Sequence, residues 1–201
     1  MKLVDSKSLN IAADLLQKGE IVAFPTETVF GLGIVYDSAQ AFEDLVRVKE
    51  RRPDKPFTLM CSSVDEVQKY AILNDIARKI IAAFLPGELT IILKTKRRVP
   101  TWVDLGTGHI GIRVPNDEQV QALIKLVGKP LLVPSANRAD QRPLISSDEV
   151  IKEFGNKIAG VVLGHSKGAT PSTVIAAYDR IIMLREGNLR FNEIMKVVGG
   201  D

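Results

Sequence analysis

The feature that most constrains this chain is the alternation of short apolar runs with amphipathic stretches from one end to the other. Ile21–Phe24, Phe57–Cys61, Leu89–Lys94, Ile110–Val114, Leu131–Val133, Ile158–Leu163, Thr173–Ala176 and Arg180–Leu184 read as strands. Between them lie helical patterns. In Ser38–Lys49, the residues Ala39, Phe42, Leu45, Val46 and Val48 are spaced mostly by three and four. Ser63-Val64-Asp65-Glu66 has the capping-box form, which starts a helix. A helix from Asn74 or Asp75 to about Leu85 is stopped by Pro86-Gly87, and one over Glu118–Val127 is stopped by Gly128. Two more are expected, from Ser147 or Asp148 to near Gly155 and over Phe191–Val198. Helices and strands interleaved in this way predict an α/β or α+β layered fold.

The chain has 201 residues with no repeat, low-complexity tract or linker, so residues 1–201 read as a single domain. Its longest apolar run, Ile80–Leu85, is far short of the roughly 18 residues of a membrane span. The start, MKLVDSKSLN, lacks the apolar core of an export signal, so a cytoplasmic protein with no membrane partner is expected. One cysteine, Cys61, excludes a disulfide within the chain and a cysteine-built zinc site, and His109 and His165 are too few for a histidine-rich metal centre. No residue is assigned to a metal. Cys61 reads as a small core residue, and Trp102 as a residue that either covers a cavity or packs. A net charge of +3 fits an anionic ligand such as a nucleotide or RNA without requiring one. The basic run Lys94–Arg98 reads as a solvated loop or a nucleic-acid surface.

There is no GxxxxGK[ST] phosphate loop, HExxH or GxSxG. A GxGxxG occurs at Gly106–Gly111, but a proline-bearing loop precedes it and a strand follows. The dinucleotide motif needs a strand before and a helix after, so these glycines are taken as turn residues.

Five stretches could carry chemistry. In Phe24-Pro25-Thr26-Glu27-Thr28-Val29-Phe30-Gly31-Leu32-Gly33 a strand runs into hydroxyls and a carboxylate. That is either a ligand site at a strand end or a turn with threonines bonded to their own backbone. Lys49 and Arg51 sit where Pro53 and Pro56 end a helix. They are either partners of its dipole or a phosphate clamp, a point charge beside a planar fork. Ser135 and Asn137 follow an apolar strand and either cap a turn or face one pocket. Arg113 lies inside an apolar strand, so it needs an anionic partner: a local Asp or Glu, or a substrate carboxylate or phosphate. Ser172 and Arg185 place polar groups at strand edges.

Taken in order, these segments resemble the YrdC family, the threonylcarbamoyl-AMP synthases. The stretch PTETVFGLG, the K-x-R at Lys49 and Arg51, PGELT at Pro86–Thr90, GIRVP, the S-x-N at Ser135 and Asn137, PSTV and REG all occur in the family's order, from about Leu9 to Gly187. The resemblance implies an open, twisted mixed sheet with flanking helices around a basic central cavity. It also implies a nucleotidyltransferase that joins L-threonine, bicarbonate and ATP, with Mg²⁺, into threonylcarbamoyl-AMP and pyrophosphate. Partner enzymes then pass the threonylcarbamoyl group to tRNA. By motif, Lys49 and Arg51 are the catalytic candidates and, with Asn137 and Arg185, hold ATP and its phosphates. Thr26, Arg113, Ser135 and Ser172 hold threonine or its carbamate, with Arg113 on the carboxylate. Thr28 and Arg52 lie nearby with weaker claims.

The chain departs from the family pattern in four places. Met60 stands where members often carry histidine. Ala139 and Asp140 replace a serine and glycine, and Ile145 replaces a hydroxyl residue. Phe57–Cys61 resembles the YciO branch. Two other functions compete with the synthase: a YciO-type relative that binds or hydrolyses an adenylate, to which Met60 and the Phe57–Cys61 strand point, and a module that binds tRNA or double-stranded RNA without catalysis, to which the basic balance and the Lys94–Arg98 run point.

Overall fold

The computed structural model describes residues 1–52, 55–96, 99–139 and 141–199. Pro53 and Asp54 of the loop after Arg51, Arg97 and Arg98 of the basic run, and Asp140 lie outside the described residues. Among the described residues, ten strands are found: β1 (Lys2–Val4), β2 (Val22–Phe24), β3 (Gly31–Val35), β4 (Leu59–Met60), β5 (Leu89–Lys94), β6 (His109–Arg113), β7 (Leu131–Leu132), β8 (Gly160–Val162), β9 (Thr173–Ala177) and β10 (Ile181–Arg185). They form one mixed sheet in the order β1-β8-β2-β3-β7-β4-β6-β5-β9-β10. The helices are α1 (Leu9–Gln17), α2 (Ala39–Lys49), α3 (Val64–Tyr70), α4 (Asp75–Phe84), α5 (Thr101–Asp104), α6 (Glu118–Val127), α7 (Ser147–Phe154) and α8 (Phe191–Gly199).

The helix starts follow from side-chain caps. Ser38, Ser63, Asn74, Asp117 and Ser146 each accept a backbone N–H of the first turn. The capping box at α3 is shifted by one residue, because Glu66 reaches back to the N–H and hydroxyl of Ser62 rather than to Ser63. Gly128, at φ +77°, ends α6 in the left-handed conformation that glycine adopts at least cost.

Period-two alternation gives the sheet two faces. Ala23, Leu32, Ile34, Leu59, Ile91, Ile112 and Leu132 point into one large core. Val22, Phe24, Val35, Met60 and Leu131 point the other way, into a smaller core with Ala12 and Leu16 of α1 and Val120, Leu123 and Ile124 of α6. With Val4 of β1 and Val162 of β8 in the same core, these two helices cover the β1–β8–β2–β3–β7–β4 part of the second face and leave the β6–β5–β9–β10 part uncovered by them.

Several elements differ from the sequence reading. β1, α1 and α5 are absent from the sequence reading; β1 and α5 are short, whereas α1 does carry the helical spacing Leu9, Ala12, Ala13 and Leu16, which that reading missed. β3 was read as part of a polar, glycine-bearing loop, yet it is a fully buried strand paired to β2 and β7. Its glycines serve close packing, since a Cβ on Gly31 would lie 2.5 Å from Val133 and one on Gly33 would lie 2.5 Å from the Phe24 ring. The strand at Phe57–Cys61 shrinks to Leu59–Met60. Gly106 and Gly108 are turn residues with φ of +71°, whereas Gly111 lies inside β6. Cys61 is fully buried, and burial pushes its thiol pKa well above the ordinary range, so it is a core residue. Trp102 packs near Phe42 and donates its indole N–H to the Tyr36 carbonyl at 2.9 Å.

Candidate active site

Beyond the edge of the α1–α6 cover, the second sheet face opens into a cleft. The same alternation that fills the core supplies its walls. Thr58 and Met60, Thr90 and Ile92, Gly111 and Arg113, and Ser172 and Val174 face the cleft, while the residues between them face the core. The cleft has an inner lobe of about 100 Å³ and an outer lobe of about 290 Å³, which share Arg51, Thr58, Thr90 and Arg185.

The inner lobe is lined by three arginines, Arg51, Arg113 and Arg185, by the hydroxyl residues Thr28, Thr58, Thr90, Ser135 and Ser172, and by no Asp or Glu among the described residues. Such a wall concentrates positive potential and suits phosphate or carboxylate. A more open groove of about 560 Å³ lies elsewhere, around Gly19–Ile21 and Asn156–Ala159. There Glu20 and Asp44 offset Arg47 and Lys157, so charge of one sign is not concentrated.

Lys49 and Arg51 part company at the end of α2. Glu50 takes the left-handed conformation at φ +52°, and the Arg51 N–H closes back on the Val46 carbonyl at 3.1 Å. Lys49 consequently turns inward and is only 2% exposed. Its Nζ donates to the carbonyls of Ser135 at 2.5 Å and Asn137 at 2.6 Å, tying α2 to the loop after β7. Burial, and then the Arg51 charge, lower its pKa from 10.5 to about 7. Arg51 crosses towards the cleft. Its guanidinium lies 5.1 Å from the centroid of the Phe57 ring and donates to the Lys55 and Pro56 carbonyls, both at 3.3 Å.

Ser135 and Asn137 are joined by a 2.5 Å bond from the serine hydroxyl to Asn137 Oδ1. Asn137 Nδ2 donates to the carbonyls of Arg138 and Gln141 at 2.8 and 2.9 Å, so its amide shapes the loop. Opposite, Arg185 grips the Ser172 carbonyl through Nε at 3.0 Å and Nη2 at 2.8 Å. Partial burial, and then the Arg113 and Arg51 charges, lower its pKa. The Ser172 and Thr90 hydroxyls are 2.9 Å apart and buried.

Arg113 is buried, as its place in an apolar strand implies. Its Nη2 lies 2.8 Å from Glu27 Oε1 and donates to Thr28 Oγ1 at 3.0 Å. A local glutamate is therefore present, and the guanidinium still lines the cleft. Thr28, not Thr26, stands on the cleft wall. Thr26 lies behind it, with its hydroxyl 3.0 Å from that of Thr28 and donating to the Val29 carbonyl at 2.7 Å. Of the sequence candidates, the fold thus puts Arg51, Arg113, Ser135, Ser172 and Arg185 on one wall, with Lys49, Asn137 and Thr26 in the layer beneath. Sequence reasoning gave no role to Thr90 or Thr58. Thr90 was legible as the one hydroxyl inside an otherwise apolar strand; Thr58, ahead of a two-residue strand, gave no such signal.

A family model for Sua5, YciO and YrdC proteins, described as "Telomere recombination", matches residues 14–187. The threonylcarbamoyl-AMP synthase of Vibrio cholerae is 32% identical over 93% of this chain and 100% of its own length. Sua5 of Pyrococcus abyssi, solved in complex with L-threonine, superposes with a TM-score of 0.94 at 30% identity, over 99% of this chain but 61% of that one. YciO of E. coli superposes with a TM-score of 0.86 at 25% identity, over 98% of this chain and 97% of that one.

Proposed function

The chain belongs to the Sua5/YciO/YrdC family, and we propose that it is an L-threonylcarbamoyladenylate synthase, a transferase that uses ATP and L-threonine as substrates. The carrying observation is the convergence of Arg51, Arg113 and Arg185, with five hydroxyl side chains, on a cleft lined by no Asp or Glu among the described residues. The reaction makes and breaks few bonds. The threonine amine adds to carbon dioxide with loss of a proton, or to bicarbonate with loss of water, to give a carbamate. A carbamate oxygen then attacks the α-phosphorus of ATP, and pyrophosphate departs. Catalysis of this kind needs alignment and charge neutralisation more than covalent help.

The arginine forks suit the triphosphate, with the Lys49 ammonium adding positive charge from the layer beneath, and Asn137 and Ser135 hold the loop against which it lies. Arg113, with Thr28, suits the threonine carboxylate, and Ser172 suits the amino acid or its carbamate. Mg²⁺ fits this site as the companion of the triphosphate, since the described cleft residues offer it no carboxylate. It offsets phosphate charge when bound. The product is consumed by enzymes that transfer the threonylcarbamoyl group to tRNA. A cytoplasmic location accords with this role, and among the described residues no helix is long and apolar enough to cross a membrane.

The test is product formation from ATP, Mg²⁺, L-threonine and bicarbonate, followed by chromatography and pyrophosphate release. Both products, each requiring threonine and bicarbonate, are expected. The likeness to YciO over nearly the whole of both chains favours one second reading, an adenylate-binding relative that does not make the adenylate. A folded protein that binds ATP and yields neither product would select it.

A further inference from the structure

We infer that Glu27 is a positioning residue that aims the Arg113 guanidinium at the carboxylate of the amino-acid substrate. This rests on the reading of Arg113 as the carboxylate anchor. The Glu27 and Arg113 side chains are 8% and 7% exposed, and Glu27 Oε1 lies 2.8 Å from Arg113 Nη2. Glu27 is not on the cleft wall, whereas Arg113 and Thr28 are, so the carboxylate stands behind the guanidinium. Oε1 also accepts the Asn116 N–H at 2.9 Å. Glu27 is thus tied to the chain three residues beyond the arginine it holds.

The backbone of Arg113 is fixed at the end of β6 by its pairing with β4, opposite Met60. Its long side chain is not fixed by pairing. Thr28 Oγ1 and Glu27 Oε1 both approach Nη2, and two contacts on one nitrogen restrict rotation of the whole plane. Arg113 Nε and Glu27 Oε2 are buried and bonded to nothing described. The pair is therefore not a closed two-bond fork, and the guanidinium retains donor capacity for a second anion. A buried arginine without its carboxylate would be an uncompensated charge, driven to swing towards water and out of register with a substrate.

The experiment compares the wild-type chain with Glu27→Gln, whose amide oxygen can still accept the Asn116 N–H. Steady-state kinetics with L-threonine and ATP varied separately, and calorimetric binding of each, give the readout. The KM and Kd for L-threonine are expected to rise about 10- to 100-fold, as for loss of one charged hydrogen-bonding partner, while those for ATP stay within about twofold and kcat at saturating threonine is kept. L-Threoninamide, which lacks the carboxylate, is expected to bind both proteins equally. If Glu27→Gln does not fold, Glu27→Asp, which keeps the charge on a shorter arm, is read in the same way. A lowered melting temperature with unchanged threonine KM would make the pair purely structural and overturn the inference. Tighter threonine binding would show that Glu27 tempers Arg113 rather than aims it, and would overturn it equally. A wild-type protein that binds no threonine and makes no product overturns the synthase reading itself, whereas equal threonine constants in two active proteins overturn only the role of Glu27.

Discussion

Met60 and Arg113 stand opposite one another in the parallel register of β4 and β6, and both side chains face the inner lobe of the cleft. A thioether, which donates no hydrogen bond, thus flanks the guanidinium proposed to hold the substrate carboxylate. Met60→Ala, at a residue 2% exposed, should cost about 2–5 kcal/mol of stability. It should also reduce the preference for L-threonine over L-serine, because the pocket beside the carboxylate widens by two carbons and a sulfur. Denaturant titration and kcat/KM for the two amino acids check both parts.

Lys49 gives a pH prediction of definite sign. Its folded pKa of about 7 lies below the ordinary 10.5, because burial and Arg51 oppose its charge. Between those values the unfolded chain holds a proton that the folded protein has released. The contribution of Lys49 to stability therefore rises with pH from about 7 to 10.5 and is lowest below 7. ATP affinity should run the other way in the free protein, weakening as the ammonium is lost above pH 7. Isothermal titration of ATP between pH 6 and 9 should show this slope in the wild type, and Lys49→Met should flatten it.

The buried hydroxyl pair of Thr90 and Ser172 offers an isosteric test. Thr90→Val leaves the Ser172 hydroxyl without this partner at the cleft wall. It should lower kcat/KM for threonine about tenfold, because the Ser172 hydroxyl then keeps only the long 3.4 Å contact with Arg185 Nη2. Thr90→Ser should restore most of the activity. Equal kcat/KM in Thr90→Val and wild type would remove Thr90 from the site.

Gly31 tests the scaffold. A Cβ there would lie 2.5 Å from Val133, two residues before Ser135. Gly31→Ala should destabilise the protein by about 1–3 kcal/mol, measured by thermal or chemical denaturation. It should also weaken ATP binding by shifting the loop that Lys49 anchors.

Much of this molecule was readable from its residues because local signals and tertiary structure agree. α6 runs from Glu118 to Val127 because Asp117 caps one end and Gly128 the other. β5 spans Leu89–Lys94, the apolar run that follows Pro86-Gly87. The misses have physical causes. Gly31-Leu32-Gly33 lacks the side chains that mark a strand, because neighbouring side chains fill the space that Cβ atoms would take. Arg113 announced that it needed an anion, but nothing local identified Glu27, which is 86 positions away, as that partner. Thr26 and Thr28 are alike in sequence, and only the path of the chain beyond β2 sets one on the wall and the other behind it. Lys49 read as a group that meets ligand directly, and its burial under two carbonyls depends on the turn at Glu50.

The two-faced strands also govern how this protein can change over generations. On β5, β6 and β9 every second residue belongs to the cleft and its neighbours belong to the core. A single-residue insertion or deletion there would exchange the two sets, sending arginine and threonine into oil and isoleucine into the cleft. Length is therefore frozen along these strands, while a substitution at a cleft position changes what the cleft presents without exchanging the two faces. Lineages built on such a sheet inherit a rigid ruler with replaceable marks, and new chemistry arises by exchanging single letters at intervals of two.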